Sequence, residues 1–271
     1  REIPEFLPSL ALVPVFVLAI GFVGYPLFRY GFGFNHPTAF YSAMPGGLQD
    51  MLVFGEESGG NVRALSLIHA TRVLVIVTIA PVVLAHFWNI DLTQPAGAAA
   101  RSMDPVELAL MVFAAFAGWK IAERIGLFGA SILGPMILAA AFSLSGIIEH
   151  RPPAEIIWAA QFFIGIAVGA KYVGITAREL RVFVGAGLIY SLFLGVLSIG
   201  FAFLIHAGGL APAFEASLAF LPGGQAEMVV IAIIAGADLA YVVSHHLLRL
   251  TAVILLAPVF AKILQPRLRS R

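Results

Sequence analysis

Two stretches of this chain each combine a Pro-Gly-Gly turn, an acidic residue and a downstream His-x-x-Arg pair, a set that could bind an ion. The first set consists of Pro45, Gly46, Gly47, Asp50, His69 and Arg72. The second set, 177 positions later, consists of Pro222, Gly223, Gly224, Glu227, His246 and Arg249. A helix that starts after such a turn offers free N–H groups to an anion, and a carboxylate can bind a proton or a cation.

The turns and the acids each have two interpretations. The Pro-Gly-Gly turns are either functional hinges or structural kinks in buried hairpins. Asp50 and Glu227 lie one turn beyond the breaks. They are either ion-binding carboxylates, because buried acids in a bilayer are usually functional, or first-turn acids that complement a helix dipole.

The His-x-x-Arg spacing places each pair on one face of a helix. Both arginines lie too deep in their helices to reach water easily, so each needs a partner. We expect Asp50 to be the counter-ion of Arg72 and Glu227 that of Arg249. Such pairs either bind substrate or only tie a hairpin to a long helix.

Other polar residues have less specific signals. His245 is expected to be a satisfied polar side chain rather than a ligand. Asn61 and Asp238 directly precede long apolar runs, so helix capping explains them well, although Asp238 is also kept as a candidate binding residue. Gly134-Pro135 is either a functional break or a packing kink in its helix.

The two stretches belong to a longer internal similarity, in which residues 44–81 align with residues 221–258. Beyond the residues named above, the identities include Met51 with Met228, Gly59 with Gly236, and Pro81 with Pro258. A Pro-Gly-Gly, a His and an Arg rarely recur together by chance. We therefore predict an internal duplication.

The composition indicates a membrane protein. The chain has 271 residues, of which 60% are hydrophobic and 11% charged, whereas soluble domains carry about 25% charge. Apolar runs long enough to cross a bilayer predict an all-α polytopic membrane protein. The net charge of +1 argues against a nucleic-acid partner. The absence of cysteine excludes disulfides and thiolate metal sites, and we expect no cofactor.

The order of apolar runs predicts the membrane segments. Predicted spans are residues 9–28, 61–87, 105–121, 129–148, 156–170, 180–205 and 239–261. Segments 37–54 and 212–235 are broken at Pro-Gly-Gly and are predicted to be re-entrant or broken helices. Residues 1–88 would hold the C-terminal part of a first repeat, 89–104 a connector, 105–264 a second repeat, and 265–271 a basic tail.

The distribution of Lys and Arg predicts the orientation. A basic tail and the basic loop after residue 170 place the C-terminus in the cytoplasm. The two copies then have opposite orientations, which is an inverted repeat of about five spans each. By this register about 70 residues, or three spans, are expected to precede the present N-terminus, so that the chain would be N-terminally truncated.

These motifs resemble the AbrB family of bacterial inner-membrane proteins. The similarity rests on the Pro-Gly-Gly-x-x-acidic-Met segment, the following His-x-x-Arg, and a Leu-Gly-Pro-Met stretch at residues 133–136. The resemblance implies a duplicated membrane module, a multi-pass location in the bacterial inner membrane, and no established substrate. Members of that family have been labelled both as regulators of gene expression and as ammonia monooxygenases.

Inverted repeats with broken helices are typical of secondary transporters. We therefore expect a transporter-like protein that moves a small solute, with an organic anion as one candidate and proton or cation coupling as an option. Regulation of gene expression without transport is the alternative. A monooxygenase is less expected, because the seven histidines are scattered and form no HxH or ExxH pair. The expected partners are the lipid bilayer, the solute and a second copy in a homo-oligomer.

Overall fold

The computed structural model describes residues 3–91, 93, 97–127 and 130–264, and these residues form helices and no strands. The helices are α1 (Ile3–Leu10), α2 (Leu12–Pro26), α3 (His36–Ala43), α4 (Leu48–Glu57), α5 (Val62–Trp88), α6 (Pro105–Arg124), α7 (Ala130–Leu144), α8 (Ala154–Gly169), α9 (Ala177–Glu179), α10 (Gly185–Ala207), α11 (Ala213–Phe220), α12 (Gln225–Ile234) and α13 (Leu239–Leu264). Short π-helical turns follow α2 and precede α10.

Six stretches of the described residues are long and apolar enough to cross a bilayer. They are Glu5–Gly31, Val62–Trp88, Pro105–Arg124, Ala154–Tyr172, Ala177–Ala207 and Leu239–Ala261. Since a bilayer core requires about 20 apolar residues per helix, the chain is an all-α polytopic membrane protein, as its composition predicted.

The two segments predicted to be broken are each formed by a pair of short helices. Residues 44–47 separate α3 from α4, and residues 221–224 separate α11 from α12. Each short helix has only eight or ten residues, which is too short to span a bilayer. The predicted breaks at both Pro-Gly-Gly sequences are therefore confirmed.

Of the two interpretations of Gly134-Pro135, the structure supports a packing role and not a break. Helix α7 runs through Pro135 without interruption. A methyl group on Gly134 would overlap the carbonyl oxygen of Gly118 in α6, so the two backbones are in direct contact. The glycine allows this close helix packing, and Pro135 is accommodated inside α7.

The chain divides into two compact units, of which the first contains both hairpins. It comprises the described residues of 1–94 and 164–271. In this unit α10 packs against α2, α5 and α11. Its core includes Phe28 and Tyr190, whose ring centroids are 4.8 Å apart. Arg63, at the start of α5, forms an ion pair with Glu179 at 2.9 Å and donates to the carbonyls of Lys171 and Val173.

The second unit comprises the described residues of 95–163, in which α6 packs along α7. The carboxylate of Glu107 accepts hydrogen bonds from the backbone N–H groups of Glu149 and His150, each at 2.7 Å. It also lies 2.8 Å from Nδ1 of His150. These contacts fix the segment that follows α7. The predicted basic tail, residues 265–271, lies outside the described residues.

Candidate functional site

The breaks in the two hairpins have the same backbone form. Met44 and Leu221 end the first helix of each hairpin with ψ of 133° and 121°. Gly47 and Gly224 begin the second helix with φ of −63° and −67° and with ψ near 140°. The backbone is thus extended across both breaks. In each hairpin the first helix presents its unpaired C-terminal carbonyls at the break, and the second presents its unpaired N–H groups there.

Arg72 and Arg249 each bridge a break. Arg72 donates from Nη1 to the carbonyl of Met44 at 3.3 Å and from Nη2 to that of Gly46 at 3.0 Å. Arg249 donates from Nη1 to the carbonyl of Leu221 at 3.1 Å and from Nη2 to that of Gly223 at 3.3 Å. The two side chains are therefore bound by carbonyls at corresponding positions. Only 2% of Arg72 and 6% of Arg249 is exposed.

The histidine of each pair contacts a backbone carbonyl of the first short helix, three residues before the carbonyl that its arginine binds first. Nε2 of His69 lies 3.0 Å from the carbonyl of Tyr41, and Nε2 of His246 lies 3.0 Å from that of Leu218. Because a carbonyl can only accept, Nε2 carries the proton in both rings and Nδ1 is left as an acceptor. Nδ1 of His246 accepts from Nη2 of Arg249 at 3.0 Å, whereas Nδ1 of His69 has no hydrogen-bond partner among the described residues.

Helix α10 places one more hydroxyl group beside each break. The hydroxyl of Tyr190 donates to the carbonyl of Ala43. The hydroxyl of Ser198 donates to the carbonyl of Leu194 in its own helix at 2.7 Å and lies 3.1 Å from the carbonyl of Phe220, which occupies the corresponding position in the second hairpin. Sequence reasoning missed both residues. Their signal was available, because they are among the few polar side chains in a strongly apolar helix.

The predicted counter-ions are wrong. Among the residues that the structure describes, no carboxylate oxygen lies within ion-pair distance of Arg72 or Arg249. The physical reason is that the C-terminal end of a helix carries a partial negative charge and free carbonyls, which can accept a guanidinium group directly. The arginines thus cap the carbonyl ends of α3 and α11.

Asp50 and Glu227 instead fold back toward the start of their own helices. A methyl group built on Gly47 would lie 2.6 Å from Oδ2 of Asp50, and one built on Gly224 would overlap Oε2 of Glu227. Each carboxylate therefore lies in the space that a side chain at the N-cap position would occupy. Neither Gly47 nor Gly224 can supply a side-chain cap of its own.

The other predicted site residues occupy different places. Oδ1 of Asp238 accepts from the backbone N–H of Tyr241 at 3.1 Å, and Oδ1 of Asn61 accepts from that of Ala64 at 3.0 Å. Both residues are helix N-caps, as predicted. At 1.5 Å per residue, Asp238 lies about 16 Å along α13 from Arg249, so the structure does not bring it to the break.

His245 is a satisfied core residue, as expected. Its Nδ1 lies 2.8 Å from the carbonyl of Tyr241 and its Nε2 lies 3.0 Å from Oγ of Ser9. Since the ring is fully buried, these contacts tie α1 to α13.

Each break packs against the long helix that follows the other hairpin. A methyl group on Gly46 would lie 3.0 Å from Cγ1 of Val253 in α13, and one on Gly223 would lie 3.1 Å from Cγ2 of Ile76 in α5. The prolines Pro45 and Pro222 are buried beside them. Ile76 and Val253 lie one helical turn beyond Arg72 and Arg249 in the same helices. The two Pro-Gly-Gly breaks and the two arginines therefore belong to one cluster.

Two apolar grooves of the first compact unit are lined in part by the residues at the breaks, Met44 in one groove and Leu221 in the other. The first, between α2, α3 and α13, has a volume of about 460 Å³, and the second, between α5, α10 and α11, has about 290 Å³. Shifted by 177 positions, lining residues of the first groove fall on lining residues of the second, for example Met44 on Leu221.

Among the described residues, no three His, Cys, Asp or Glu side chains are grouped to hold a metal ion.

Comparison with known proteins identifies the family. The family described as "Transition state regulatory protein AbrB" matches residues 1–265. The chain is 28% identical over 262 residues to "Uncharacterized protein YhjN" of Bacillus subtilis (strain 168), which covers 89% of this chain and 66% of that protein. It is 25% identical over 257 residues to "Putative regulator AbrB" of Escherichia coli (strain K12), which covers 93% of this chain and 73% of that protein.

Neither of these names describes an enzyme, and no solved structure matches the chain. The chain spans less than two thirds of the length of the Bacillus subtilis protein. Because the family match covers nearly all of its residues, this membrane protein belongs to the AbrB family.

Proposed function

We propose that this protein is a secondary carrier that moves a small solute across the bacterial inner membrane, with its binding site at the two helix breaks. The observation that carries this proposal is the pair of buried arginines, Arg72 and Arg249, each bridging the break of a different hairpin. Broken helices that meet near the middle of the bilayer are the usual place for substrate and ion binding in secondary carriers.

A structural kink is a weaker explanation of these breaks. A broken helix within the bilayer leaves several N–H and C=O groups without intrahelical partners, and each unpaired group costs several kcal/mol in hydrocarbon. A segment that only had to fill space between the long helices could avoid this cost by forming one continuous helix. Two breaks at corresponding positions, each bridged by a buried arginine and packed against the long helix that follows the other hairpin, favour a functional centre.

We further propose that the two hairpins are copies in an inverted repeat. The support is the agreement of their contacts, since the partners of Arg72 and His69 recur 177 positions later for Arg249 and His246. The packing is also reciprocal. Gly46 contacts α13, and Gly223 contacts the corresponding residue of α5, as two copies related by an approximate two-fold axis would.

The absence of cysteine allows a direct test of the orientation. A Ser58→Cys variant places a thiol at the turn between α4 and α5, and an Ala235→Cys variant places one at the turn between α12 and α13. From the distribution of Lys and Arg we expect an impermeant maleimide to label Ala235→Cys from outside the cell and Ser58→Cys only after permeabilisation. Labelling of both from the same side would rule out the inverted repeat.

Transport itself is tested by solute flux into proteoliposomes that contain the full-length protein. Arg249→Ala removes the cation that bridges the second break, and Glu227→Gln removes a carboxylate of α12. Glu215→Gln in α11 is a matched control away from the break. We expect substrate-dependent flux that both site variants lose and the control keeps. Flux unaffected by both site variants would place the transport site elsewhere.

Regulation without transport is the second candidate, and it is favoured by the names of the family and of the Escherichia coli relative. A purely regulatory protein would fold and insert, yet would support no flux for any solute in a panel of anions, amines and neutral compounds. Deletion of the gene would then change transcript levels, and expression of an Arg249→Ala variant that inserts normally would restore them. A carrier predicts the opposite result for that variant.

A further inference from the structure

We propose that a cavity at the start of α5 binds the headgroup of an anionic phospholipid, with Arg178 as the residue that contacts its phosphate. The cavity has a volume of about 520 Å³ and lies between the turn that follows α2, the start of α5, and the segment from α9 to the π-helical turn before α10. This inference goes beyond the proposed carrier function and does not depend on it, since a regulator in the same membrane could hold the same lipid.

The cavity lies at the depth of the lipid headgroups. Arg63 and Arg178 are each the second residue of an apolar stretch, Val62–Trp88 and Ala177–Ala207. At 1.5 Å per residue these stretches are about 40 Å and about 46 Å long, whereas the hydrocarbon core of a bilayer is about 30 Å thick. Because each stretch carries a charge at its start, that end lies in the headgroup region, beside the lipid phosphates.

Arg63 forms a fixed part of the cavity wall. Its Nε lies 2.9 Å from Oε1 of Glu179, and its other two nitrogens donate to the carbonyls of Lys171 and Val173 at 3.2 and 3.3 Å. Oε2 of Glu179 accepts from the hydroxyl and the N–H group of Thr176, both at 2.9 Å. Glu179 is the one acidic side chain among the described residues that line the cavity, and the chain itself already engages it.

Arg178 is the cation that is left to bind a ligand. It lines the cavity, its side chain is exposed, and it forms no ion pair with any residue that the structure describes. The segment from Lys171 to Arg181 carries three basic residues and one acid, and that acid is paired with Arg63. The remaining charge of the segment is therefore positive, and a guanidinium group binds a phosphate through charge-assisted hydrogen bonds.

An apolar wall beside this cation favours a lipid over a free anion. The rings of Phe32 and Phe34 are stacked with centroids 6.2 Å apart, and the ring of Phe34 lies 5.8 Å from that of Phe183. All three rings line the cavity and are half-buried. Apolar contact stabilises only a ligand that has apolar surface to bury, and a phospholipid presents its acyl chains next to its phosphate.

The corresponding cavity of the second hairpin lacks these features. Shifted by 177 positions, residues 32–34 fall on residues 209–211, which line a cavity of about 630 Å³, and Arg63 falls on Ala240. The other residues that line this second cavity are Glu5, His206 and Pro212. A hairpin of this form thus needs neither the arginines nor the phenylalanine rings. In the inverted repeat proposed above, the basic cavity faces the cytoplasm, the side on which anionic lipids give the membrane a negative surface potential.

The test is native mass spectrometry of the full-length protein in a neutral detergent, titrated separately with phosphatidylglycerol, which is anionic, and phosphatidylcholine, which has no net charge. We expect phosphatidylglycerol to bind about tenfold more tightly than phosphatidylcholine. Arg178→Gln should weaken phosphatidylglycerol binding about fivefold and leave phosphatidylcholine binding unchanged, because it removes the free cation. Arg178→Lys, which keeps the charge, should retain most of the affinity.

Arg124→Gln is the matched control, because it removes an exposed arginine at the end of α6, away from the cavity. It should leave both affinities unchanged. Equal weakening by Arg124→Gln and Arg178→Gln would reduce the effect to diffuse attraction and overturn the inference, as would equal affinities of the wild type for the two lipids. Displacement of phosphatidylglycerol by an equal concentration of glycerol 1-phosphate would also overturn it, since the site would then bind a soluble phosphate.

Discussion

The hairpin of α3 and α4 and the hairpin of α11 and α12 differ in most side chains, yet they agree in how their breaks are held. Helix α4 ends with Glu56 and Glu57, whereas α12 ends with Ile233 and Ile234. At the breaks, in contrast, the arginines donate to carbonyls at corresponding positions with distances that agree within about 0.3 Å. What the two hairpins share is thus the means of satisfying backbone carbonyls in an apolar environment.

The remaining donors at the breaks differ between the hairpins. Helix α10 supplies Tyr190 to the first break and Ser198 to the second. The long side chain of Tyr190 reaches the carbonyl of Ala43 in α3, whereas the short side chain of Ser198 must lie beside the carbonyl of Phe220 in α11. The Tyr190 hydroxyl is thus committed to the first break, whereas the Ser198 hydroxyl is shared between Phe220 and the carbonyl of Leu194 in its own helix.

The largest effect is expected when either arginine is removed. Arg72→Ala or Arg249→Ala leaves two buried carbonyls without donors, so each should lower the free energy of unfolding by about 3 kcal/mol. The measurement is thermal or denaturant unfolding in detergent micelles, with Arg63→Ala as a partly exposed control. If one of the two arginines could be removed without loss, the hairpins would not be equivalent.

A smaller effect is expected from a methyl group at the breaks. Gly46→Ala would place Cβ 2.6 Å from Cε of Met51, and Gly223→Ala would place it 2.7 Å from Sδ of Met228. Because methionine side chains can move but the facing long helices cannot, we expect each substitution to cost about 2 kcal/mol of unfolding free energy.

The control for these glycine substitutions is Gly200→Ala in α10, where a new Cβ would meet nothing within 4 Å. It should be neutral or slightly stabilising, since alanine favours helix more than glycine does. Double variants test the contact itself. Met51→Ala should offset part of the cost of Gly46→Ala, with a coupling of about 1 kcal/mol. Strictly additive costs would mean that the methionine does not press on the break.

The smallest effect distinguishes the two histidines. His246→Leu removes a donor to Leu218 and an acceptor for Arg249, whereas His69→Leu removes only a donor to Tyr41. The loss of unfolding free energy should be greater for His246→Leu by about 1 kcal/mol. Equal losses in the same unfolding assay would show that the additional bond to Arg249 contributes little.

Much of the fold could be predicted from the sequence because the responsible signals are local. The run of apolar residues that became α5 was predicted at 61–87 and is found at Val62–Trp88. The breaks were predicted from Pro-Gly-Gly, since proline removes a backbone donor and glycine disfavours helix. The caps at Asn61 and Asp238 follow from residue type and position alone. In contrast, the sequence left open whether Gly134-Pro135 breaks its helix, and only the contact between Gly134 and Gly118 of α6 identifies it as a packing position.

The sequence by itself determined which residues form apolar helices, where two of those helices break, and that each arginine shares a helix face with a histidine. Only the tertiary structure decided what the arginines bind. A list of side chains offers Asp50 and Glu227 as the obvious acceptors, because backbone carbonyls are common to every residue and carry no sequence signal. Carbonyls become strong acceptors only where a helix ends in an apolar environment next to a guanidinium group, and that juxtaposition depends on packing between helices distant in the chain.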